Sequence, residues 1–550
     1  MFHPAYAVCD DIAEDGIIPV YPLTSGLTQK DLRRGIKIAL DLVDTYPETL
    51  PDSIISKANL CPISYAFKNV HYPEDSSKFA AARYRLVFEE LFDLRLALKM
   101  SINRFGKGRK GISFKSGSFD SFINSLSYPL TKAQNKVLKE IEADMNSSNA
   151  MNRLLEGDVG SGKTLIAEAA MYKAVDAGYQ AAFMAPTEIL AKQHFETLKE
   201  LGLNIDILTS STAASERRRI LEDLESGKTN ILIGTHALLS DSVKFNNLGL
   251  VITDEQHRFG VAQREKLNKK AENPDILVMT ATPIPRTLAV VLYADMDLSV
   301  IDELPPGRKE IITEKFNEKN RENAYEKLAL EVRAGRQAYI VAPLIEDSES
   351  IAAISAESLF KAFTKKYKDI SAVLLHGDMK QSEKDEAMNR FSSGEVSVLI
   401  STVVIEVGIN VPNATVMLIE NSERFGLAQM HQLRGRVGRG NHQSYCFIVL
   451  GEETEIAKER AAVMCESSDG FAIAEKDLEL RGPGELFGFR QHGLPQLQLA
   501  DPVKHAKIIE IASNLADELL LADPNLSKKE NEGLSNTISK SYGNDISLVL

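Results

Sequence analysis

Residues 151–164, MNRLLEGDVGSGKT, join a short apolar run to a glycine-rich turn. The turn fills the pattern G-x-x-x-x-G-K-[ST] of a phosphate-binding loop. In such loops backbone N–H groups point at phosphate oxygens, the lysine reaches the terminal phosphates, and the hydroxyl after it ligates Mg²⁺. The residues that follow have helical spacing, so a helix dipole would face the same anion. The residues predicted to hold a nucleoside triphosphate and Mg²⁺ are Gly157, Gly160, Gly162, Lys163 and Thr164.

Composition indicates a globular chain of several domains, with 550 residues, 44% hydrophobic and 26% charged. We expect no membrane span and no secretory signal, because no long apolar run and no basic leader is present. Four scattered cysteines favour a reducing cytoplasm over a disulfide framework or a zinc site. The net charge of −13 argues weakly against nucleic-acid binding, since a global sum does not report a local basic groove.

Short apolar runs alternate with helical patterns from residue 128 onward. This alternation is typical of a parallel sheet with helices on both faces. A Pro-Pro-Gly break at residues 305–307 separates a second alternating set from the first. The sequence therefore predicts an α/β protein with two lobes. The predicted strands are QAAFMAP (180–186), NILIGTH (230–236), LGLVITDE (248–255), ILVMTAT (276–282), QAYIVAPL (337–344), SAVLLHG (371–377), VSVLIST (396–402), TVMLIEN (415–421) and SYCFIVL (444–450).

One of these predicted strands ends in two carboxylates, Asp254 and Glu255. The carboxyl edge of a parallel sheet is where ligands bind, so both acids should lie beside the phosphate-binding loop. We predict that Asp254 holds the Mg²⁺ shell and that Glu255 orients and deprotonates the attacking water.

The order of further short motifs resembles that of superfamily 2 helicases. Leu130-Thr131-x-x-Gln134 resembles the motif that reads adenine, which implies that the nucleotide is ATP. The motifs APT (185–187), GTH (234–236), TAT (280–282), HG (376–377) and STVVIEVGINVP (401–412) resemble those that contact DNA or couple hydrolysis to movement. The residues implied in this role are Pro186, Thr187, Thr235, His236, Thr280, Thr282, His376, Thr402 and Gly408.

The stretch QLRGRVGR (432–439) resembles the last helicase motif, which belongs to the second lobe. The resemblance implies nucleotide binding by Gln432 and arginine-finger roles for Arg436 and Arg439, with Arg439 favoured. Arginines on a second lobe make physical sense, because they stabilise the charge of the transition state only when the cleft between the lobes closes.

A finer resemblance, over nearly the whole chain, is to the RecG family of DNA helicases. TATPIPRTLA (280–289) and LRGPGELFGFRQHG (480–493) carry it, and the second resembles the family's TRG motif. Arg481, Arg490 and Gln491 are thereby implied to couple lobe closure to movement along duplex DNA. The implied fold has two RecA-like parallel-sheet lobes, an N-terminal helical region and a C-terminal helical hairpin (TRG) element.

The resemblance also implies domain boundaries. We expect a remnant of an OB-type wedge domain at 1–25, a helical linker at 26–120, an ATP-binding lobe at 121–306 and a second lobe at 307–457. A TRG and C-terminal helical domain at 458–524 and a flexible tail at 525–550 would follow. Family members carry a complete wedge that splits branched DNA, and we expect most of it to be missing from this chain.

The implied function is that of an ATP- and Mg²⁺-dependent helicase or duplex-DNA translocase that remodels stalled forks and Holliday junctions in recombination and repair. Expected partners are branched double-stranded DNA and single-strand DNA-binding protein. We expect a monomer in the bacterial cytoplasm, associated with the nucleoid.

Two alternatives stay open at this stage. One is another duplex translocase with a TRG-like element, such as the transcription–repair coupling factor, although no polymerase-binding module is evident. The other is a truncated ATP-dependent DNA-binding protein or translocase without strand-separating activity. A simple GTPase-like switch is disfavoured by the second lobe with its LRGRVGRG stretch (433–440).

Overall fold

The structure, a computed structural model, describes residues 17–24, 26–105, 111–126, 128–199, 202–254, 266–267, 270–280, 296–305, 309–343, 349–402, 411–481, 497–501 and 504–542. Most of the predicted wedge remnant at 1–25 lies outside these residues. Five predicted site residues also lie outside the described residues: Glu255, Thr282, Gly408, Arg490 and Gln491. For a sixth, Arg481, the backbone is described and the side chain is not. The chain divides into two compact units, one formed by its two ends and one by residues 108–482 without 286–295.

The unit formed by the chain ends is a bundle of helices around one 30-residue helix, Ser76–Phe105. Apolar residues of this long helix pack with residues near both ends of the chain into one buried cluster. None of the helices in the described residues is long and apolar enough to cross a membrane. The helices of this unit are Gln29–Asp41, Asp52–Lys57, Ile63–His71, Ser76–Phe105, Ala506–Ala522 and Glu532–Tyr542.

A buried ion-pair network anchors the segment between the helices Gln29–Asp41 and Asp52–Lys57 to the long helix. The Arg85 guanidinium is fully buried and donates hydrogen bonds to the carboxylates of Glu48 and Glu89 and to the Cys61 carbonyl oxygen. Burial alone would raise the pKa of Glu48, but hydrogen bonds from Arg85 and from the Ile63 N–H lower it below its ordinary value. Because each buried charge has its partner, the network avoids the cost of an isolated ion.

The C-terminal segment differs from the expected flexible tail. Residues Glu532–Tyr542 form a helix whose Leu534 and Ile538, one turn apart, are buried in the apolar cluster. The preceding turn is fixed by Asp523, whose carboxylate accepts hydrogen bonds from the N–H groups of Ser527 and Lys528, both at 2.9 Å. The expectation was wrong for this stretch, because its polar composition hid two apolar residues at helical spacing.

The second unit contains both predicted lobes. In the first lobe the described strands are β1 (Asn152–Gly157), β2 (Gln180–Met184), β3 (Ile205–Leu208), β4 (Ile231–Gly234), β5 (Leu248–Asp254), β6 (Asp275–Thr280) and β7 (Asp297–Ile301). They form a seven-stranded sheet in the order β3-β4-β2-β5-β6-β1-β7, and every pairing between them is parallel. Its helices are Asp120–Ser125, Lys132–Met145, Lys163–Asp176, Glu188–Leu198 and Ala214–Glu225.

In the second lobe the described strands are β8 (Ile312–Asn317), β9 (Gln337–Val341), β10 (Ala372–Leu375), β11 (Val398–Ser401), β12 (Ala414–Ile419) and β13 (Tyr445–Leu450). They repeat this architecture as a six-stranded parallel sheet in the order β10-β11-β9-β12-β13-β8. The predicted α/β fold with two parallel-sheet lobes is thereby confirmed. The helices are Arg321–Arg333, Glu349–Lys366, Gln381–Ser392, Leu427–Arg434, Glu455–Glu466 and Gly470–Arg481.

Asp275 is fully buried at the first residue of β6, and its Oδ1 accepts a hydrogen bond from the Met151 N–H at 2.8 Å. Within the described residues its other oxygen has no hydrogen-bond partner. Burial, opposed by this hydrogen bond and assisted by the Asp144 carboxylate, raises the pKa of Asp275 to about 7. Above the ordinary value of about 4, the folded protein therefore keeps a proton that the unfolded chain has lost. The free energy of unfolding falls as pH rises through this window.

We predict that Asp275→Asn raises the free energy of unfolding by about 2–4 kcal/mol near pH 8 and changes it little near pH 4. Asparagine keeps the Oδ1 acceptor and carries no charge, so the pH-dependent loss disappears. Thermal melting at both pH values measures the difference. The control is Asp297→Asn at the exposed first residue of β7, which should shift the melting temperature equally at both pH values. Parallel pH dependence of the wild type and Asp275→Asn would contradict the prediction.

Candidate nucleotide and DNA site

Three adjacent strands of the first lobe end at one edge of the sheet and bring predicted site residues together. Gly157 ends β1, Thr280 ends the neighbouring β6, and Asp254 ends β5 on the other side of β6. The register pairs Glu156 with Thr280 and Asp254 with Met279, so these strand ends are level. This is the carboxyl edge, where ligands of open α/β sheets bind.

The loop after β1 has the shape of an anion cradle. Gly160 and Gly162 adopt φ angles of +79° and +94°, which L side chains rarely adopt. A Cβ at Gly162 would also lie 2.4 Å from Nε2 of Gln134, so only glycine fits there. The helix Lys163–Asp176 begins directly after this glycine and directs its N-terminus at the loop. Its dipole and backbone N–H groups favour a phosphate at this place.

The side chains of the loop also suit a triphosphate with Mg²⁺. The Lys163 ammonium is buried and donates hydrogen bonds to the carbonyl oxygens of Gly157 at 2.7 Å and Asp158 at 2.9 Å. The Ser161 hydroxyl is fully buried and has no hydrogen-bond partner in the described part of the chain. Thr164 is half-buried beside it. The Lys163 cation can neutralise phosphate charge, and the two hydroxyl groups can donate to phosphate oxygens or ligate Mg²⁺.

Gln134 is predicted to read adenine, and both the oxygen and the nitrogen of its side-chain amide are hydrogen-bonded within the protein. Its Oε1 accepts a hydrogen bond from the Thr131 N–H at 2.9 Å, which caps the helix Lys132–Met145. Its Nε2 donates to the Ser161 carbonyl oxygen at 2.9 Å. The side chain is buried, so its observed contacts position the phosphate-binding loop. Adenine recognition by Gln134 stays a prediction.

Asp254, predicted to hold Mg²⁺, has a neighbour that the sequence did not indicate. Nε2 of His194 lies 3.4 Å from Oδ2 of Asp254. His194 is buried on the helix Glu188–Leu198, and its ring lies 4.6 Å from the Phe183 ring, centroid to centroid. The helix that follows the APT motif therefore touches the predicted metal ligand directly.

Two contacts join the phosphate-binding loop to the second lobe. Nε2 of His431 lies 2.6 Å from Oδ1 of Asp158, and both side chains are largely buried. Four residues later, Gly435 packs so closely on Val159 that a Cβ there would lie 2.8 Å from the Val159 Cβ. Burial alone would raise the pKa of Asp158, but hydrogen bonds from His431 and from the Val159 N–H help to lower it below its ordinary value.

A buried arginine holds the other side of the His431 ring. Nη2 of Arg434 donates a hydrogen bond to Nδ1 of His431 at 2.9 Å, which leaves the ring proton on Nε2 for Asp158. Nη1 of Arg434 donates to the carbonyl oxygens of Met464 and Ser467, both at 2.8 Å. These carbonyls lie at the junction between the helices Glu455–Glu466 and Gly470–Arg481.

Arg436 and Arg439, the predicted arginine fingers, lie half-buried in the turn after the helix Leu427–Arg434. Nε of Arg439 donates to the Gly435 carbonyl oxygen at 3.4 Å. Burial raises the pKa of Tyr339 to about 12, and both guanidinium charges oppose this rise. Gln432 is half-buried on the same helix. The turn that carries both arginines thus begins at the residue that touches Val159.

The predicted DNA contacts fall into two pairs of neighbouring loops. The Pro186–Thr187 and Thr235–His236 loops follow β2 and β4, and the Ala185 N–H donates to the Gly234 carbonyl oxygen at 2.8 Å. His376 and Thr402 follow β10 and β11, and the Thr402 N–H donates to the Leu375 carbonyl oxygen at 3.2 Å. The side chains of Thr235 and Thr402 are buried, whereas His236 is exposed and Pro186, Thr187 and His376 are half-buried.

The family comparisons match these lobes in order. The DEAD/DEAH box helicase model matches residues 131–291, and the helicase conserved C-terminal domain model matches residues 319–441. The model described as ATP-dependent DNA helicase RecG, domain 3, C-terminal, matches residues 467–544.

Individual relatives are similar over most of the chain. ATP-dependent DNA helicase RecG of Synechocystis sp. is 46% identical over 93% of this chain and 62% of that protein. The protein of the same name from Streptococcus pneumoniae is 46% identical over 92% of this chain and 76% of that protein. A solved structure of RecG bound to a three-way DNA junction aligns with a TM-score of 0.70 and 43% identity, over 90% of this chain and 66% of that one.

The chain thus spans less than the full length of these relatives, from 62% to 76% of the two proteins. Within that span, the two parallel-sheet lobes, the phosphate-binding loop and the arginine-bearing turn occur in the order of the matching helicase models. The chain belongs to the RecG family of ATP-dependent DNA helicases.

Proposed function

We propose that this chain is an ATP-driven motor that moves along duplex DNA and remodels branched DNA such as stalled forks and Holliday junctions. Two contacts of the phosphate-binding loop with the second lobe carry this proposal: His431 lies on Asp158, and Gly435, where the arginine-bearing turn begins, packs on Val159. A nucleotide in that loop would lie beside residues of both lobes, so its hydrolysis can change the cleft between them. Further support comes from the similar RecG structure, which is bound to a three-way DNA junction.

In this proposal the phosphate-binding loop holds ATP through the N-terminus of the helix Lys163–Asp176 and the Lys163 ammonium. Thr164 and Asp254 would hold Mg²⁺, which supplies charge neutralisation of the phosphates when bound. His194, in contact with Asp254, would orient that carboxylate. Glu255 is the proposed base that activates water, and Arg436 or Arg439 would stabilise the charge of the transition state.

DNA would be gripped by the two pairs of loops at the sheet edges. Exposed and half-buried positions such as His236 and His376 can contact the DNA backbone directly. The buried Thr235 and Thr402 would act by shaping their loops. Arg481, Arg490 and Gln491 are the proposed coupling residues of the TRG element. Contacts of this kind read the phosphate backbone and not the base sequence, as a motor requires.

We also propose that the protein acts as a monomer in the bacterial cytoplasm, associated with the nucleoid, and that single-strand DNA-binding protein is a partner. These assignments rest on family membership. Sedimentation with and without a branched DNA, and pull-down with purified single-strand DNA-binding protein, test them.

Steady-state ATP hydrolysis with no DNA, single-stranded DNA, linear duplex and a three-way junction tests the proposal. We expect the junction to stimulate hydrolysis by about tenfold or more over the DNA-free rate, because DNA binding to both lobes favours the closed cleft. Stimulation by the junction well above linear duplex supports branched-DNA recognition. Equal stimulation by any duplex would indicate a translocase without junction reading, and no stimulation by any DNA would overturn the motor.

A further inference from the structure

His431 sits between two charged groups that fix both of its ring nitrogens. Nη2 of Arg434 donates to Nδ1 at 2.9 Å, and Nε2 lies 2.6 Å from the Asp158 carboxylate. An arginine can only donate, so Nδ1 must accept and the ring proton must be on Nε2. The ring therefore has one orientation and one tautomer in which both neighbours are satisfied. Only 4% of His431 is exposed, so water cannot replace either partner.

The two neighbours of His431 belong to different parts of the motor. Asp158 is in the phosphate-binding loop, and its carbonyl oxygen accepts a hydrogen bond from the Lys163 ammonium. Arg434 donates to the carbonyl oxygens of Met464 and Ser467, at the junction between the helices Glu455–Glu466 and Gly470–Arg481. His431 and Asp158 are 273 residues apart in the chain. The ring is the polar link that joins the loop to the helix carrying the arginine turn.

We propose that His431 is a positioning residue for ATP hydrolysis. Its hydrogen bond to Asp158 holds the helix Leu427–Arg434 against the phosphate-binding loop. It thereby fixes the position of the arginine-bearing turn relative to the bound nucleotide. This inference rests on the proposed ATPase and goes beyond it, because it adds a residue outside QLRGRVGR (432–439) and gives Asp158 a partner. Gly435, which packs on Val159, leaves little room for the turn to dock elsewhere.

The hydrogen-bonding groups of His431, an acceptor for Arg434 and a donor for Asp158, predict which substitutions this position tolerates. Glutamine places its amide N–H as far along the side chain as Nε2 of histidine, where it can donate to Asp158, and its oxygen, on the same carbon, can accept from Arg434. Asparagine offers the oxygen for Arg434 but is too short to reach Asp158. Both variants keep a polar side chain at this buried position, so both should fold. A difference in activity between them therefore reports the contact with Asp158 and not general damage to the fold.

The test compares His431→Gln with His431→Asn in DNA-stimulated ATP hydrolysis. We expect kcat to fall about tenfold in His431→Asn and by no more than about twofold in His431→Gln, the size of effect expected for one charge-assisted hydrogen bond. The Kd of a fluorescent ADP analogue, measured without DNA, should change less than about twofold in both, since ADP needs the loop and not the docked turn. Thermal melting of both variants confirms that they fold.

A double-mutant cycle with Asp158→Ala, which removes the acceptor of the His431 N–H, completes the experiment. If the two residues act through their contact, Asp158→Ala should add little to the loss in His431→Asn, and the effects will not multiply. Equal losses in the glutamine and asparagine variants, or multiplicative losses in the cycle, would overturn the inference. A wild type without ATPase activity, or an active Lys163→Ala variant, would instead overturn the proposed function.

Discussion

Lys163→Ala is expected to lower kcat for ATP hydrolysis by at least about 10²–10³-fold, with and without DNA. The ammonium is buried at the loop, where it donates to the carbonyl oxygens of Gly157 and Asp158. No other lysine or arginine of the described first lobe is predicted to reach the phosphates. When a triphosphate enters, this cation can turn from the carbonyls to the phosphate oxygens and neutralise the charge that develops on hydrolysis.

Steady-state ATPase assays with saturating junction DNA measure this effect, and thermal melting checks that the variant folds. The matched control is Lys136→Ala on the helix Lys132–Met145. The Lys136 side chain is 77% exposed, and its Nζ lies 3.9 Å from Oε1 of Glu140. That variant should keep nearly the wild-type rate. More than about a tenth of wild-type activity in Lys163→Ala would contradict the assignment of the phosphate-binding loop.

Much of the fold could be predicted from the sequence because the central strands are buried on both faces. β2, β4, β5 and β12 are apolar along nearly their whole length, so their patterns stand out from the flanking helices. The strands β3 and β8 lie at sheet edges and carry half-buried or exposed residues, and the sequence did not identify them. Strand order depends on contacts between distant residues and could not be predicted from local patterns.

The site residues likewise divide into those that a local sequence pattern reveals and those that depend on contacts between distant parts of the chain. The phosphate-binding loop is one continuous stretch, so the sequence indicated Gly157, Gly162, Lys163 and Thr164 together. The histidine contacts have no local signal, because His194 is 60 residues from Asp254 and His431 is 273 residues from Asp158. The position of His431 immediately before Gln432 was the one feature that could have drawn attention to it.

Arg439→Ala and Arg436→Ala are each expected to leave nucleotide binding nearly intact and to lower kcat strongly. An arginine finger contributes about 10³–10⁵-fold to phosphoryl transfer, because its charge acts on the transition state and little on the ground state. Both guanidinium groups lie in the turn that begins at Gly435, which touches the loop at Val159. The sequence favours Arg439 as the finger. The larger loss of kcat identifies it.

Single-turnover hydrolysis and the Kd of a fluorescent ADP analogue separate the two effects. We expect the finger variant to lose at least about 10³-fold in rate while the Kd for ADP changes less than about threefold. The matched control is Arg333→Ala, whose exposed side chain pairs with Asp369 on the surface of the second lobe at 2.7 Å; exposed pairs contribute little, so its rate should equal that of the wild type. If both finger candidates retain wild-type rates, the second lobe does not complete the ATP site, and hydrolysis cannot depend on closure of the cleft in the way proposed.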